Sequence, residues 1–194
     1  MLLEVSNIQR KQAVDIAPAR IISRGSSLSL FVGQPHDILS KHLGKLVNGQ
    51  FYQFYSFGRF SMHDIIVYLL KQIGPAHIIC GTWSISQESM ESLVRLKNRN
   101  EILSLRFVLD PRVKVTKAKP LQMLTANFPF VFSSWHAKVT VMENENWKIS
   151  IVSSQNMTKN PKIERGCIFT DAETFEFDKK VLENELRSGR INND

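Results

Sequence analysis

From Phe51 onward the hydrophobic positions switch between a period of two and a period near 3.6, and each switch marks an element. Residues 51–57 are aromatic and strand-like, ending at Gly58. Ser61 with Asp64 three residues on has capping-box spacing. Met62, Ile65, Ile66, Leu69, Leu70 and Ile73 then recur at helical intervals until Gly74-Pro75. An apolar strand is predicted over 76–83. A second helix opens at Ser84 or Ser86, with Met90, Leu93 and Val94 inward and Arg95, Lys97 and Arg99 outward. Residues 102–109 form the next buried strand, closed by Asp110-Pro111. Pro120 sits at a helix start with Leu121 and Leu124 on one side. Pro129 marks 128–132 as an edge strand or a strand start. Strands over 135–142 and 147–152 flank the turn Glu143-Asn144-Glu145-Asn146, a hairpin by composition. A strand over 165–170 and an amphipathic helix over 172–187 follow, the helix offering Phe175, Phe177, Val181, Leu182 and Leu186 to the core.

Strands alternating with helices, then a hairpin, predict an α/β fold: a mixed β-sheet with helices on its faces. No internal repeat is visible. Residues 1–48 show weak periodicity and a Gly25-Ser26-Ser27 break, so they read as an N-terminal extension of unclear role, with one domain over 49–194.

Composition narrows the class. At 43% hydrophobic and 22% charged, the 194-residue chain suits one globular domain with a substantial core. Its longest apolar run, 65–70, is far short of the roughly 18 residues of a membrane span. Met1-Leu2-Leu3-Glu4 lacks a basic flank before an apolar core, so no signal peptide is expected. Cys80 and Cys167 in apolar surroundings predict reduced thiols of a cytoplasmic protein. His36, His42, His63 and His77 have no ligand spacing, so neither metal nor cofactor is expected.

The net charge of +7 permits an anionic partner without naming it. Much of it lies between Arg95 and Lys119, where Arg95, Lys97, Arg99, Arg106, Arg112, Lys114, Lys117 and Lys119 face only Glu101 and Asp110. Such a run is either a solvated helix face with a polar loop or a track for a phosphate backbone.

The candidate chemistry lies on the hairpin. In a strand, His136 and Lys138 share one face, with Ala137, Val139 and Val141 on the core side. Antiparallel pairing returns the second strand to the start of the first, so Ser153-Ser154-Gln155-Asn156 emerge beside His136 and Lys138. Ser154 and Asn156 can donate to an anionic oxygen. A neutral histidine can attack phosphorus, Lys and Asn donors can stabilise the charge that develops, and a carboxylate such as Glu164 can fix the imidazole tautomer. Trp83 and Trp135 flank the same strand ends, in positions suited to core packing or to stacking a base.

The run His136-x-Lys138, four residues, Glu143, then Ser153-Ser154-x-Asn156 resembles the HxK(x)4D…GSxN signature of the phospholipase D superfamily. Asn156-Met157-Thr158-Lys159-Asn160 and Glu164 are similar to that family's continuation. Glu143 replaces the family's Asp and Ser153 its Gly, and the link between them is three residues longer. The resemblance implies a phospholipase D-like domain over 49–194, with His136 as nucleophile or acid. Lys138 and Asn156 would be phosphate ligands, Ser154 a supporting hydroxyl and Glu164 the carboxylate orienting the histidine; Glu143 and Ser153 would lie behind them. One motif per chain implies a homodimer in which two histidines face one phosphate.

The expectation is a metal-independent nucleic-acid phosphodiesterase, DNA in preference to RNA, working as an endonuclease with no membrane partner. Arg95, Lys97, Arg99, Arg112, Lys114, Lys117 and Lys119 would line its substrate track. The alternative is a non-catalytic relative that binds nucleic acid or a phage or mobile-element partner; a phospholipid or other small phosphodiester as substrate is a third option.

Overall fold

The computed structural model describes residues 20–23 and 34–189. The first half holds β1 (Arg20–Ser23), α1 (Pro35–His42), β2 (Phe51–Tyr55), α2 (Met62–Ile73), β3 (Ala76–Thr82), α3 (Gln87–Asn98) and β4 (Ile102–Leu109). The second half holds α4 (Val113–Thr116), α5 (Ala118–Asn127), β5 (Phe130–Phe132), β6 (Val139–Glu143), β7 (Lys148–Ser153), β8 (Arg165–Phe169) and α6 (Ala172–Ser188). The strands form one eight-stranded sheet in the order β1-β2-β8-β7-β6-β3-β4-β5.

The pairing β3-β4-β5 is parallel, as helical crossovers require. The other neighbours are antiparallel. Central β3 is buried along almost its whole length, as a strand covered on both faces must be. Edge strand β5 begins after Pro129, whose carbonyl accepts from Phe107 N at 3.0 Å.

Three of the helices start at caps set by local chemistry. Ser61 N donates to Asp64 Oδ2 at 2.8 Å, closing the capping box of α2. Ser86, rather than Ser84, caps α3, its Oγ accepting from Ser89 N at 3.2 Å. Asp171 caps α6 by accepting from Thr174 N at 2.8 Å. Helices flank both faces: Leu39, Leu69, Met90 and Leu124 join the larger core layer with Ile78, Phe107 and Ile151. On the other face Phe175 and Leu182 of α6 cover Ile79, Val108, Val131 and Val141.

Phe177 and Val181 are not in that layer; they are 69% and 39% exposed. Phe177 lies two residues beyond Phe175, about 200° around the helix, so both cannot face the sheet. Ile38, Leu39, Leu43 and Leu46 lie in the larger core and β1 pairs with β2, so this part of the segment read as an extension packs with the rest.

The hairpin forms where composition places it. Asn144 Oδ1 accepts from Asn146 N and Trp147 N, both at 3.0 Å, an Asx turn between β6 and β7. However, β6 begins at Val139, not Trp135. Residues 135–138 belong to no strand or helix, and the indole of Trp135 anchors them against Gly81. Ala137 is exposed there, contrary to the inward position that strand alternation gave it.

Candidate active site

The site lies where strands β3 and β4 end and β6 begins. Thr82 pairs with Leu109 and Gly81 with Val139, while Ser153 N donates to Lys138 O at 3.0 Å. The carboxyl ends of parallel strands are a common place for ligand crevices, because backbone diverges into loops there. Helices α2 and α3 also start at this end, and α5 starts nine residues after β4, so three positive helix ends lie on this side.

His136 and Lys138 share a side as the sequence predicts, although not within a strand: Lys138 Nζ lies 3.5 Å from His136 Nε2 and donates to His136 O at 2.6 Å. Asn156 joins them through β3. Its Oδ1 accepts from Trp83 N at 3.3 Å and Thr82 Oγ1 at 3.4 Å, which leaves Nδ2 as the end free to donate. The loop carrying Asn156 is strapped down by Met157 N to Ser84 O at 3.1 Å and Ser86 N to Met157 O at 3.0 Å. Buried Gln155 ties the same loop to Phe60 O at 2.7 Å.

Trp83 is the hub. Its ring lies 5.5 Å from the His136 ring, 5.6 Å from Lys138 Nζ and 4.8 Å from Arg112 Cζ. Cations over an indole face are attracted by its quadrupole, so Trp83 gathers two of them beside the imidazole. Behind Arg112, the buried carboxylate of Asp110 accepts from Nε at 2.7 Å, Nη2 at 3.0 Å and Arg112 N at 2.9 Å. That pairing holds the Asp110 carboxyl below its ordinary range, with a smaller contribution from His136. Burial pushes the Lys138 ammonium below its usual value; Arg112 adds to this, and Glu164 and Asp110 oppose it.

Ser154 and Glu164 are together but turned toward each other. The Ser154 hydroxyl donates to Glu164 Oε2, Asn160 Nδ2 donates to Oε1 at 2.6 Å, and Arg165 N donates to Ser154 Oγ at 3.0 Å. The bond from Glu164 to the His136 ring that sequence reasoning expects is absent within this chain. Ser153 caps its own turn by accepting from Gln155 N at 2.8 Å. Glu143 stands at the far end of β6, where it pairs with Lys179 of α6 at 2.5 Å; it braces helix to sheet and does not back the histidine.

The basic stretch divides in two. Arg112, Lys114, Lys117 and Lys119 follow β4 at the site end, Lys114 standing over the Phe132 ring at 4.6 Å. Arg95, Lys97 and Arg99 lie at the C-terminal end of α3, roughly 17 Å along the helix from its start beside the site. There Lys97 donates to Asn127 O at 2.6 Å and Arg99 pairs with Glu101 at 3.9 Å. A crossover helix carries its two ends to opposite ends of the sheet, so these residues are not one continuous track. Sequence reasoning missed Asp110 and Thr82 and gave Asn160 no role beyond the motif's continuation; for Asp110 the available signal was an acid at the carboxyl end of a buried strand. Among the described residues no group of three His, Cys, Asp or Glu is placed to hold a metal ion.

No protein-family model matches the chain, and no curated protein sequence does. Solved structures do match its backbone. Nuc from Salmonella typhimurium, a phospholipase D family member, superposes with a TM-score of 0.52 at 19% identity over 66% of this chain and 91% of its own. TrmBL2, an archaeal chromatin protein with a novel mode of DNA binding, superposes with a TM-score of 0.50 at 7% identity, over 79% of this chain and 58% of its own. At such identities the likeness concerns backbone alone. The chain has the phospholipase D fold: a mixed sheet flanked by helices on both faces.

Proposed function

We propose that this chain is a metal-independent phosphodiesterase that cleaves nucleic acid as an endonuclease, two copies sharing one catalytic centre. The observation that carries the reading is the convergence of His136, Lys138 and Asn156 at the carboxyl end of the parallel strands. Nε2 of one His136 attacks phosphorus, the bond to the leaving oxygen breaks, and His136 of a second copy protonates that oxygen. Lys138 Nζ and Asn156 Nδ2 donate to the non-bridging oxygens as charge builds on them. Water, deprotonated by the second histidine, then attacks phosphorus and releases the first. A single histidine cannot be nucleophile and leaving-group acid at once, which is why the reading requires a homodimer.

Nucleic acid is favoured by the cations at the site end, Arg112, Lys114, Lys117 and Lys119, and DNA is the first substrate to try. No helix among the described residues is long and apolar enough to cross a membrane.

The test is cleavage of DNA and RNA in excess EDTA, with His136→Ala alongside and sedimentation for oligomeric state. Cleavage that persists in EDTA and disappears in His136→Ala is expected, from a dimer. Inert wild-type protein would remove the enzyme. Activity surviving in His136→Ala, or lost with EDTA, would remove the histidine mechanism, and a monomer the shared centre. One observation favours a non-catalytic nucleic-acid-binding protein instead: Glu164 is engaged by Ser154 and Asn160 and not by His136. That reading predicts binding without turnover.

A further inference from the structure

We infer that Arg112 holds the phosphate next to the one that is cleaved, and that Asp110 is the positioning residue that aims it. The inference rests on the phosphodiesterase reading of the site. Arg112 is the side chain best prepared for an anion. Its guanidinium is gripped through Nε and Nη2 by a carboxylate side chain only 8% exposed, its own backbone N–H binds the same carboxylate, and its Cζ lies over the Trp83 ring at 4.8 Å. Those bonds use two of the five guanidinium N–H groups, so three, on Nη1 and the outer side of Nη2, remain to donate. The Arg112 side chain is itself 59% exposed, so those donors meet solvent.

A surface arginine ordinarily gives up rotamer freedom on binding; this one is already ordered, so its bonds to a phosphate cost less entropy. Its position fixes which phosphate. Lys138 and Asn156 flank His136 and serve the reacting phosphorus, whereas Arg112 stands on Trp83, its Cζ 4.8 Å from the ring whose centroid lies 5.5 Å from the His136 ring. The group that follows the scissile phosphate along a single strand is another phosphate. The Asp110 carboxylate is bonded to Arg112 and touches no reacting atom, so its hold on a bound phosphate runs through Arg112.

The experiment compares two substrates: bis(4-nitrophenyl) phosphate, with one phosphodiester, and a thymidine trinucleotide, with two. The quantity read is the ratio of kcat/KM for the trinucleotide to that for the single diester. Arg112→Ala is expected to lower this ratio about tenfold or more, the worth of a charge-assisted hydrogen bond. Arg112→Lys recovers it only in part, because an ammonium cannot hold Asp110 and a phosphate as a fork does. Asp110→Asn is expected to lower the ratio through KM rather than kcat, and Asp110→Glu to restore part of it. A ratio unchanged in Arg112→Ala, in protein whose melting profile matches wild type, would overturn the inference while leaving the phosphodiesterase standing.

If wild type cleaves neither substrate, the phosphodiesterase reading fails by itself. Binding of oligothymidylate then decides about Arg112: its replacement by Ala or Lys should be distinguished by salt dependence, with the slope falling by about 0.7 in Arg112→Ala for one lost phosphate contact. A slope equal to wild type overturns it.

Discussion

Lys138 shows what the site costs the fold. Its ammonium is partly buried and held below its ordinary pKa, with burial the largest cause. A base with a lowered folded pKa binds its proton less well folded than unfolded. The resulting loss of stability is complete at neutral pH, where both states are charged, and is relieved only as pH rises through the lowered value. Lys138→Met is therefore expected to keep or raise the melting temperature at pH 7 while abolishing cleavage; a clear fall in melting temperature would contradict this. Gly81 makes the opposite demand. A Cβ there would stand 2.4 Å from Trp135 Nε1, so Gly81→Ala must displace the indole that anchors residues 135–138. Overpacking of this kind is expected to cost about 1–3 kcal/mol, read by denaturant unfolding, with activity falling as His136 shifts.

Among the elements, α6 separates burial from mere hydrophobicity. Phe175 and Leu182, seven apart, seat fully on the sheet, while Phe177 stands 69% exposed on the outer side. Phe175→Ala is expected to cost about 3–5 kcal/mol and Phe177→Ser less than about 0.5 kcal/mol in chemical denaturation. Equal losses would mean that the helix is seated in another rotation. The lower ends of the helix and sheet are also held by charge, through Lys179 with Glu143 and Lys148 with Glu176. This explains why Glu143, one methylene longer than the Asp of the motif it resembles, is accommodated: its partner is a flexible lysine on a helix and not the His136 imidazole.

For the whole molecule, the parallel crossovers sort the basic residues by sheet end. Replacing Arg95, Lys97 and Arg99 together with Gln is expected to leave the salt dependence of oligonucleotide binding near wild type. The same change at Lys114, Lys117 and Lys119 should flatten its slope and weaken binding at all sequences alike, as lost phosphate contacts do. If the first triple variant flattens the slope as much as the second, nucleic acid runs along α3 and away from the strand ends.

From Phe51 onward the order of the strands and longer helices, the Ser61 capping box, the start of β5 after Pro129 and the hairpin were legible in the sequence, because each is set by residues within a few positions of one another; β1, α1 and α4 were not. The pairing of Lys138 with Ser153 was legible for the same reason: a tight turn leaves an antiparallel hairpin little choice of register. Tertiary structure alone decided the rest. Trp83, Asp110 and Arg112 come near His136 because β3 lies between β6 and β4 in the sheet, a neighbourhood set by crossovers of some 20–50 residues and by no local signal. Glu164 was legible as a nearby carboxylate, but its partners were not: Ser154 takes Oε2 and Asn160 takes Oε1. Charge was legible as a sum and a stretch. Which cations share a surface was not, because a helix of twelve residues carries its last turn to the other end of the sheet.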